Sequence, residues 1–424
     1  MGVPQGRTPG GQPDSVHCDE GDDRRLPAAD RNTFIETHIR AVRTFLQNWE
    51  ARLQLVNLGN EGKSQAGTDI ILRKKQSSFN QGFHLLSRQL AEHAQHLTLP
   101  ERVAEGEVWR RELGRWIEQA PILDRTNKRP RGYLGDSEMM RMIYANDYRG
   151  PTPVGRLLHK HSVSTPAGDA VRNRRALVAD ELSALANSRG PDEPPMTLLS
   201  VACGPAHEIA DIFTTPAAFG KFRIVLLDQD PEALSEAREN IGVVERQYPG
   251  HRVDVRYEQA SIGSLLRSGP KRNSLGKFDF IYSMGLYDYL DKRTAQKLTN
   301  ALFDMLQPGG TLLLGNYSTS NPTRTYLEYW CDWWLVYRTP DEFAALLSPD
   351  RSCGQSVDVG LDPSGSQLFL RAHKSLSPPA SKQSNTSSES DGVGTRSNEG
   401  VLAGPQAEGS GRVPSGETMA RARL

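Results

Sequence analysis

Apolar positions along the chain follow two different rhythms. In the first part Ile35, Ile39, Val42, Leu46, Trp49, Leu53 and Val56 recur at alternating spacings of four and three, one face of a helix. Thr33 and Glu36 have the spacing of a capping box and place the helix start there. Leu72, Phe79, Phe83, Leu86, Leu90 and Leu97 repeat the pattern in a second helix, and Val108, Trp109, Leu113, Trp116 and Ile117 in a third. Such a heptad-like seam serves either an intermolecular coiled coil, giving a homodimer through the N-terminal helices, or an intramolecular bundle. For segments this short the bundle is the better expectation.

From about residue 190 the rhythm changes to short apolar runs separated by helical patterns. Runs at 197–202, 223–228, 254–258, 278–283 and 311–316 predict strands, and their alternation with helices predicts a parallel sheet covered on both faces. Two further runs, 357–359 and 366–372, flank the hairpin signal Leu361-Asp362-Pro363-Ser364-Gly365, so the last strand is expected to be antiparallel. The chain thus divides into a helical N-terminal region, 31–189, and an α/β domain, 190–374. Residues 1–30 and 375–424 hold too little apolar surface to offset the entropy of ordering and are expected to be disordered.

Composition narrows the function classes. Lys+Arg and Asp+Glu both number 51, which gives no electrostatic reason to expect a nucleic-acid or anionic-membrane partner. Cys18, Cys203, Cys331 and Cys353 show no CxxC spacing, so neither a zinc site nor a disulfide framework is predicted. The pairs His93/His96 and His159/His161 lack a third ligand and read as surface histidines. No stretch is apolar for the roughly 18 residues a membrane span requires, and the N-terminus lacks the apolar core of a secretory signal. These features predict a cytoplasmic protein acting on a small molecule, with no metal, no nucleic acid and no stable membrane insertion.

The strongest local signal is Leu198-Leu199-Ser200-Val201-Ala202-Cys203-Gly204-Pro205-Ala206-His207-Glu208, an apolar strand that runs through small residues into a helix. Small residues let the backbone approach a ligand, and a helix start offers free N–H groups. A second strand ends at Asp228, within Leu226-Leu227-Asp228-Gln229-Asp230-Pro231, where a carboxylate can accept both hydroxyls of a ribose.

These segments resemble the class I S-adenosylmethionine-dependent methyltransferases. Phe278-Asp279-Phe280-Ile281-Tyr282-Ser283 is similar to that family's fourth-strand motif, and Leu306-Gln307-Pro308-Gly309-Gly310-Thr311-Leu312 to its turn into the fifth strand. The resemblance implies a Rossmann-like, seven-stranded methyltransferase sheet with an antiparallel last strand, preceded here by the helical N-terminal region. Ser200 stands where the family usually has an acid, Ala202 and Ala206 replace glycines, and Ala260-Ser261 follows the third strand. The alanines fit only if φ stays negative and the methyl clears the ligand.

A narrower resemblance rests on Arg131-Gly132-Tyr133-Leu134-Gly135-Asp136, on Ala170-Val171-Arg172-Asn173-Arg174-Arg175 and on Gly285-Leu286-Tyr287-Asp288-Tyr289-Leu290. Asn321-Pro322-Thr323-Arg324, Glu328, Asp332-Trp333 and Arg338-Thr339 belong to the same pattern. Together they are similar to the family of 3-hydroxypalmitic acid methyl ester biosynthesis proteins. This implies O-methylation of the carboxyl group of a small or fatty hydroxy acid. Methylation of another small-molecule oxygen or nitrogen, or a cofactor-binding module without catalysis, are the alternatives.

The resemblance implies a cofactor site made by Ala202, Cys203, Gly204, Pro205, Asp228, Gln229, Ser261, Ile262, Ser283, Gly285 and Leu286, with Asp136 at its polar end. It implies catalytic roles for Tyr133, Tyr287 and Asp288, and acceptor binding by Arg172, Arg174, Asn316, Arg324 and Arg338. Residues 130–150 would form a lid; an ordinary connector is the competing reading. The arginines could equally form solvated helix faces. Tyr326, Tyr329, Trp330, Trp333, Trp334 and Tyr337 would wall an apolar tunnel or pack against the sheet.

The chemistry is an in-line displacement that needs alignment and exclusion of water. An ionised carboxylate acceptor needs no general base, whereas an alcohol or phenol does, with Asp288 or His207 the nearest candidates. A nicotinamide-dependent oxidoreductase would also use a strand, a turn and an acid, but the Tyr-xxx-Lys pair of short-chain reductases is absent after the fourth strand.

Overall fold

A computed structural model of the chain describes residues 28–58, 65–190, 192–267, 269–352 and 357–376. The ends expected to be disordered lie outside these residues, apart from 28–30, which open the first helix, and 375–376. Cys18 and Cys353 also lie outside them.

The N-terminal region consists of α1 (Ala28–Leu58), α2 (Gln65–Ala94), α3 (Leu99–Ile117), α4 (Pro121–Lys128), α5 (Ser137–Ala145), α6 (Pro153–Val163) and α7 (Pro166–Ser188). The first helix begins upstream of the expected capping box, with Asp30 in its first turn, so Thr33 lies inside the helix instead of at its start. Ile35, Ile39, Val42, Leu46, Trp49 and Leu53 are buried in one cluster with Phe79, Phe83, Trp109 and Leu157 of the same chain. The seam that raised a homodimer is therefore covered internally, as in a bundle.

The α/β region follows as β1 (Met196–Val201), α8 (His207–Asp211), β2 (Phe222–Asp228), α9 (Pro231–Gln247), β3 (Asp254–Gln259), α10 (Ile262–Leu266), α11 (Pro270–Leu275) and β4 (Phe278–Ser283). It continues with α12 (Lys292–Asp304), β5 (Leu306–Tyr317), α13 (Arg324–Trp330), α14 (Pro340–Ala344), α15 (Pro349–Ser352), β6 (Asp358–Leu361) and β7 (Gln367–His373). The strands form one Rossmann-like, seven-stranded sheet in the order β3-β2-β1-β4-β5-β7-β6. The first five pair in parallel, and β7 runs antiparallel to both β5 and β6. The last strand of the chain is thus reversed, as expected, but it sits between β5 and β6 and not at the sheet edge.

Both faces of the sheet are covered. Leu199, Val201, Ile281, Leu312 and Leu314 pack with Leu265, Leu298, Leu302 and Phe343 on one side. Leu198, Ile224, Leu226 and Phe280 pack with Val178, Leu182, Ile209 and Ile241 on the other. Strands buried on both faces have no polar alternation, which is why β1 and β2 read as continuous apolar runs. The expected Pro308-Gly309-Gly310 turn is instead the start of β5, where the pairing with β4 shifts register and Gly309 takes φ 80°.

After β5 the chain leaves the sheet and enters the helical region. Tyr326, Tyr329 and Trp330 pack there beside Phe83 and Trp109, so most of the aromatic cluster is core against the helices, not the sheet. His93, His159 and His161 are buried, contrary to their reading as surface residues; only His96 of the four is exposed. Apolar and aromatic neighbours explain it: Phe34 stacks on His93 at 4.1 Å and Phe83 lies 4.6 Å from His161. Among the described residues no group of three or more His, Cys, Asp or Glu could hold a metal ion. No described helix is long and apolar enough to cross a membrane.

Candidate functional site

A cavity of about 390 Å3 opens at the carboxyl ends of β1, β2 and β4, beneath the loop between α4 and α5. This is the edge of an open α/β sheet where ligands settle, and the volume lies at the lower end of small-molecule sites.

The floor is the turn after β1. Ala202, Gly204 and Ala206 all take left-handed backbone, with φ of 54°, 54° and 48°. The expectation of negative φ at the two alanines is therefore overturned. Each methyl sits in a region that costs an L-residue roughly 1–2 kcal/mol, held there because Cys203 N–H donates to Leu227 O at 3.1 Å and ties the turn to β2. A Cβ on Gly204 would meet nothing within 4 Å, which leaves the backbone bare toward the cavity. The helix that follows, α8, has only five residues, so its dipole adds little to anion binding.

Asp228 closes β2 beside this turn. Its carboxylate accepts N–H bonds from Gly204 at 2.9 Å and Asp230 at 3.0 Å, while burial pushes its pKa up against those bonds. Gln229, Ala260 and Ile262 complete that side. Glu208, under the floor, accepts from Tyr282 Oη at 2.8 Å, and burial raises its pKa.

The roof is the loop 129–136. Tyr133 donates to Asp230 Oδ2 at 2.5 Å, and Arg131 pairs with Glu232 at 2.9 Å and Glu236 at 2.8 Å on α9. Burial, then the bond to Asp230, moves the Tyr133 phenol well above its ordinary range. Gly135 takes φ 79°, and a Cβ there would come within 2.8 Å of the Tyr289 hydroxyl. The residue is glycine because the loop closes directly on Tyr289 and Trp333, which are joined by a 3.0 Å hydrogen bond.

The far end is aromatic, with Tyr144, Tyr289, Tyr317, Trp333 and Trp334. Arg174 enters from α7 and donates to Met284 O at 3.1 Å, its guanidinium lying over Gly285. Asp288, in the short turn 287–289 after β4, faces the same space. Its Oδ1 accepts the Tyr317 N–H at 2.6 Å, and burial pushes its pKa up to about 7.

Of the residues expected at the site, Tyr133, Asp288, Ala202, Cys203, Gly204, Pro205, Asp228, Gln229, Ile262, Gly285, Leu286 and Arg174 line the cavity. The others are engaged elsewhere. Asp136 caps α5 through Met139 N–H and forks onto Arg125. Ser283 donates to Val201 O inside the sheet, and Ser261 is an exposed residue ahead of α10. Tyr287 is buried against α12, where its hydroxyl accepts from Thr299 at 3.1 Å.

Arg172 binds Ile143 O and Val163 O and joins α5 and α6 to α7. Arg324 pairs with Glu328 at 2.9 Å. Arg338 is buried, donating to Tyr287 O at 2.8 Å, to Leu290 O at 2.5 Å and to Asn316 Oδ1, which occupies both expected acceptor residues. His207 packs edge-on to Tyr144, outside the cavity lining.

Met140, Tyr144, Glu208, Tyr282, Tyr289 and Tyr317 line the cavity without having been expected there. Tyr289 stands in a quoted motif, but nothing in its spacing marks it, and the helical residues come from elements whose packing no local pattern reveals.

No protein-family model matches the chain. No curated protein matches it either. Among solved structures, the chain is similar to a "possible exported protein" from Bordetella parapertussis, at 18% identity over 66% of this chain and 98% of that one, with a TM-score of 0.46. It is also similar to the magnesium protoporphyrin IX methyltransferase ChlM from Synechocystis PCC 6803, at 13% identity over 49% and 85% of the two chains, with a TM-score of 0.36. A third is the N-methyltransferase NodS from Bradyrhizobium japonicum WM9, at 16% identity over 49% and 97%, with a TM-score of 0.32.

Proposed function

We propose that this chain is an S-adenosylmethionine-dependent methyltransferase acting on a small-molecule acceptor. The observation that carries the reading is the bare left-handed turn at Gly204 packed against the buried Asp228 carboxylate, at the carboxyl edge of a Rossmann-like sheet. Two fixed N–H bonds hold that carboxylate toward the cavity with lone pairs left for ribose hydroxyls. Ala260 and Ile262 offer an apolar wall for the adenine, and Gly204 and Gly285 let the rest of the cofactor lie close to backbone. The loop 129–136 excludes water from the sulfonium, which the displacement requires.

The finer reading, methyl ester formation on a hydroxy-acid carboxyl group, rests on the sequence resemblance and on Arg174. Four of its five expected acceptor residues are bound within the fold, so Arg174 alone would meet the carboxylate. Calorimetric titration with S-adenosylmethionine and, separately, with NADH tests the cofactor. Micromolar binding of the former alone supports the reading, and binding of neither sinks it.

A further inference from the structure

Arg174 and Asp288 both line the cavity, and neither is held in an ion pair. Arg174 reaches only the carbonyl of Met284 and the sulfur of Met140, while its neighbour Arg175 is paired with Asp211 at 2.6 Å. Asp288, 3% exposed, takes a single backbone N–H on Oδ1 and no side-chain donor. Among the described residues Asp136 is paired with Arg125 at 2.9 Å, Glu328 with Arg102 at 3.0 Å and the partly buried Asp332 with Arg110 at 3.0 Å. The buried Glu208, Asp228 and Asp362, which lack a cation, take the Tyr282 hydroxyl, two backbone N–H groups, and Asn173 with several further donors, respectively. Arg174 and Asp288 form no ion pair with each other.

An unpaired buried carboxylate costs several kcal/mol unless it is protonated or serves a ligand, so its persistence beside an empty volume points to use. The groups that face it are Arg174, Arg338, Tyr289, Tyr317 and Tyr337. Burial outweighs the two guanidiniums and holds the acid near neutrality, where a base is most effective. The aromatic end around it is compact, and a long acyl chain would have to share about 390 Å3 with a nucleoside cofactor.

We infer that Asp288 is the general base of the reaction and that the group methylated is a neutral hydroxyl on a compact acceptor, whose own anionic group is anchored by Arg174. The inference rests on the methyltransferase reading. The acceptor oxygen bonds to the methyl carbon as the carbon–sulfur bond breaks and leaves its electron pair on sulfur; the hydroxyl proton passes to Asp288 and then to water. Arg174 suits an anchor better than a reaction partner, because a tight ion pair blunts the nucleophilicity of the carboxylate it holds. The product is a methyl ether, which sets this inference against the methyl ester that the sequence resemblance implies.

The test compares the full-length protein with Asp288→Asn, whose amide oxygen can still accept the Tyr317 N–H. Infrared difference spectra between pH 5 and 9 should show a buried carboxylic acid that titrates close to neutrality in the wild type and is missing in the variant. With 3-hydroxybutyrate and 3-hydroxybenzoate as probes, turnover should yield ethers, and kcat should fall about 10²–10⁴-fold in the variant with the affinity for S-adenosylmethionine unchanged. No titrating acid, or ester formed equally well by both proteins, overturns the inference. A large loss of S-adenosylmethionine affinity in the variant also overturns it, by making Asp288 a partner of the cofactor's ammonium group. If the wild type binds no S-adenosylmethionine, the methyltransferase reading itself fails.

Discussion

The phenolic hydroxyl of Tyr133 donates to Asp230 Oδ2 at 2.5 Å, so the loop over the cavity is fastened to the residue that caps α9 and lies two positions from Asp228. Roof and the Asp228 edge of the cavity are thereby one mechanical unit. Arg131, fixed to Glu232 and Glu236, adds a second tie on the same helix.

Tyr133→Phe should loosen this roof without unfolding the sheet. A hydrogen bond to a charged group contributes about 1.5–3 kcal/mol, so amide exchange in 129–136 should accelerate roughly 10–100-fold and bound S-adenosylmethionine should leave faster. Unchanged exchange would make the segment an ordinary connector.

Asp228→Ala should weaken S-adenosylmethionine binding by roughly 10–100-fold, the value of one or two hydrogen bonds to a carboxylate. Calorimetry checks it, with circular dichroism as a control for folding. Wild-type affinity would remove the ribose assignment.

Ala202→Gly should stabilise the protein. The left-handed alanine costs about 1–2 kcal/mol, and glycine gives back about 0.5–1 kcal/mol of that in chain entropy, leaving a gain of up to about 1.5 kcal/mol. Gly204→Ala, at the same φ, should lose a comparable amount. Urea midpoints measure both, and a destabilised Ala202→Gly would show that the methyl contributes packing that outweighs the strain.

Burial lowers the pKa of His159 to about 4 and of His161 to about 3, against 6.5 when unfolded. A depressed histidine leaves stability intact above pH 6.5. Below it the unfolded chain takes up a proton that the fold refuses, and stability falls until about pH 4 for His159, by about 3 kcal/mol in total. His159→Gln should flatten the decline in urea midpoint between pH 7 and pH 4.5. Parallel profiles would mean that His159 is rehydrated in the folded state.

Arg338→Ala should act on stability and not on acceptor affinity. Its guanidinium joins residues 287–290 to β5 through three oxygen acceptors; Tyr287 O keeps the Leu290 N–H at 3.2 Å, but Leu290 O and Asn316 Oδ1 lose this donor, at about 1–3 kcal/mol each before relaxation. A melting temperature unchanged beside a raised acceptor KM would restore the substrate role.

The strands, their order of appearance and the acid at the end of β2 were legible because each is a local property. A buried strand must be apolar along a few residues, and Asp228 interrupts such a run where the chain turns. The seam from Ile35 to Leu53 was equally plain, since helical burial imposes its own period.

What the sequence by itself determined is therefore the α/β sheet, the helical region before it and the position of the turn and the acid. What only the tertiary structure decided is which polar side chains meet at the cavity. Arg172, Arg174 and Arg175 are close in one helix, yet one staples helices, one enters the site and one pairs with Asp211. How α7 packs against α5 and α8, segments distant from it in sequence, selects among them. The same holds for Asp288 and Tyr287, adjacent in sequence and turned to opposite sides of one short turn. The left-handed alanines were hidden for a related reason: the backbone there is held by Leu227 across the sheet, against the preference of its own residues.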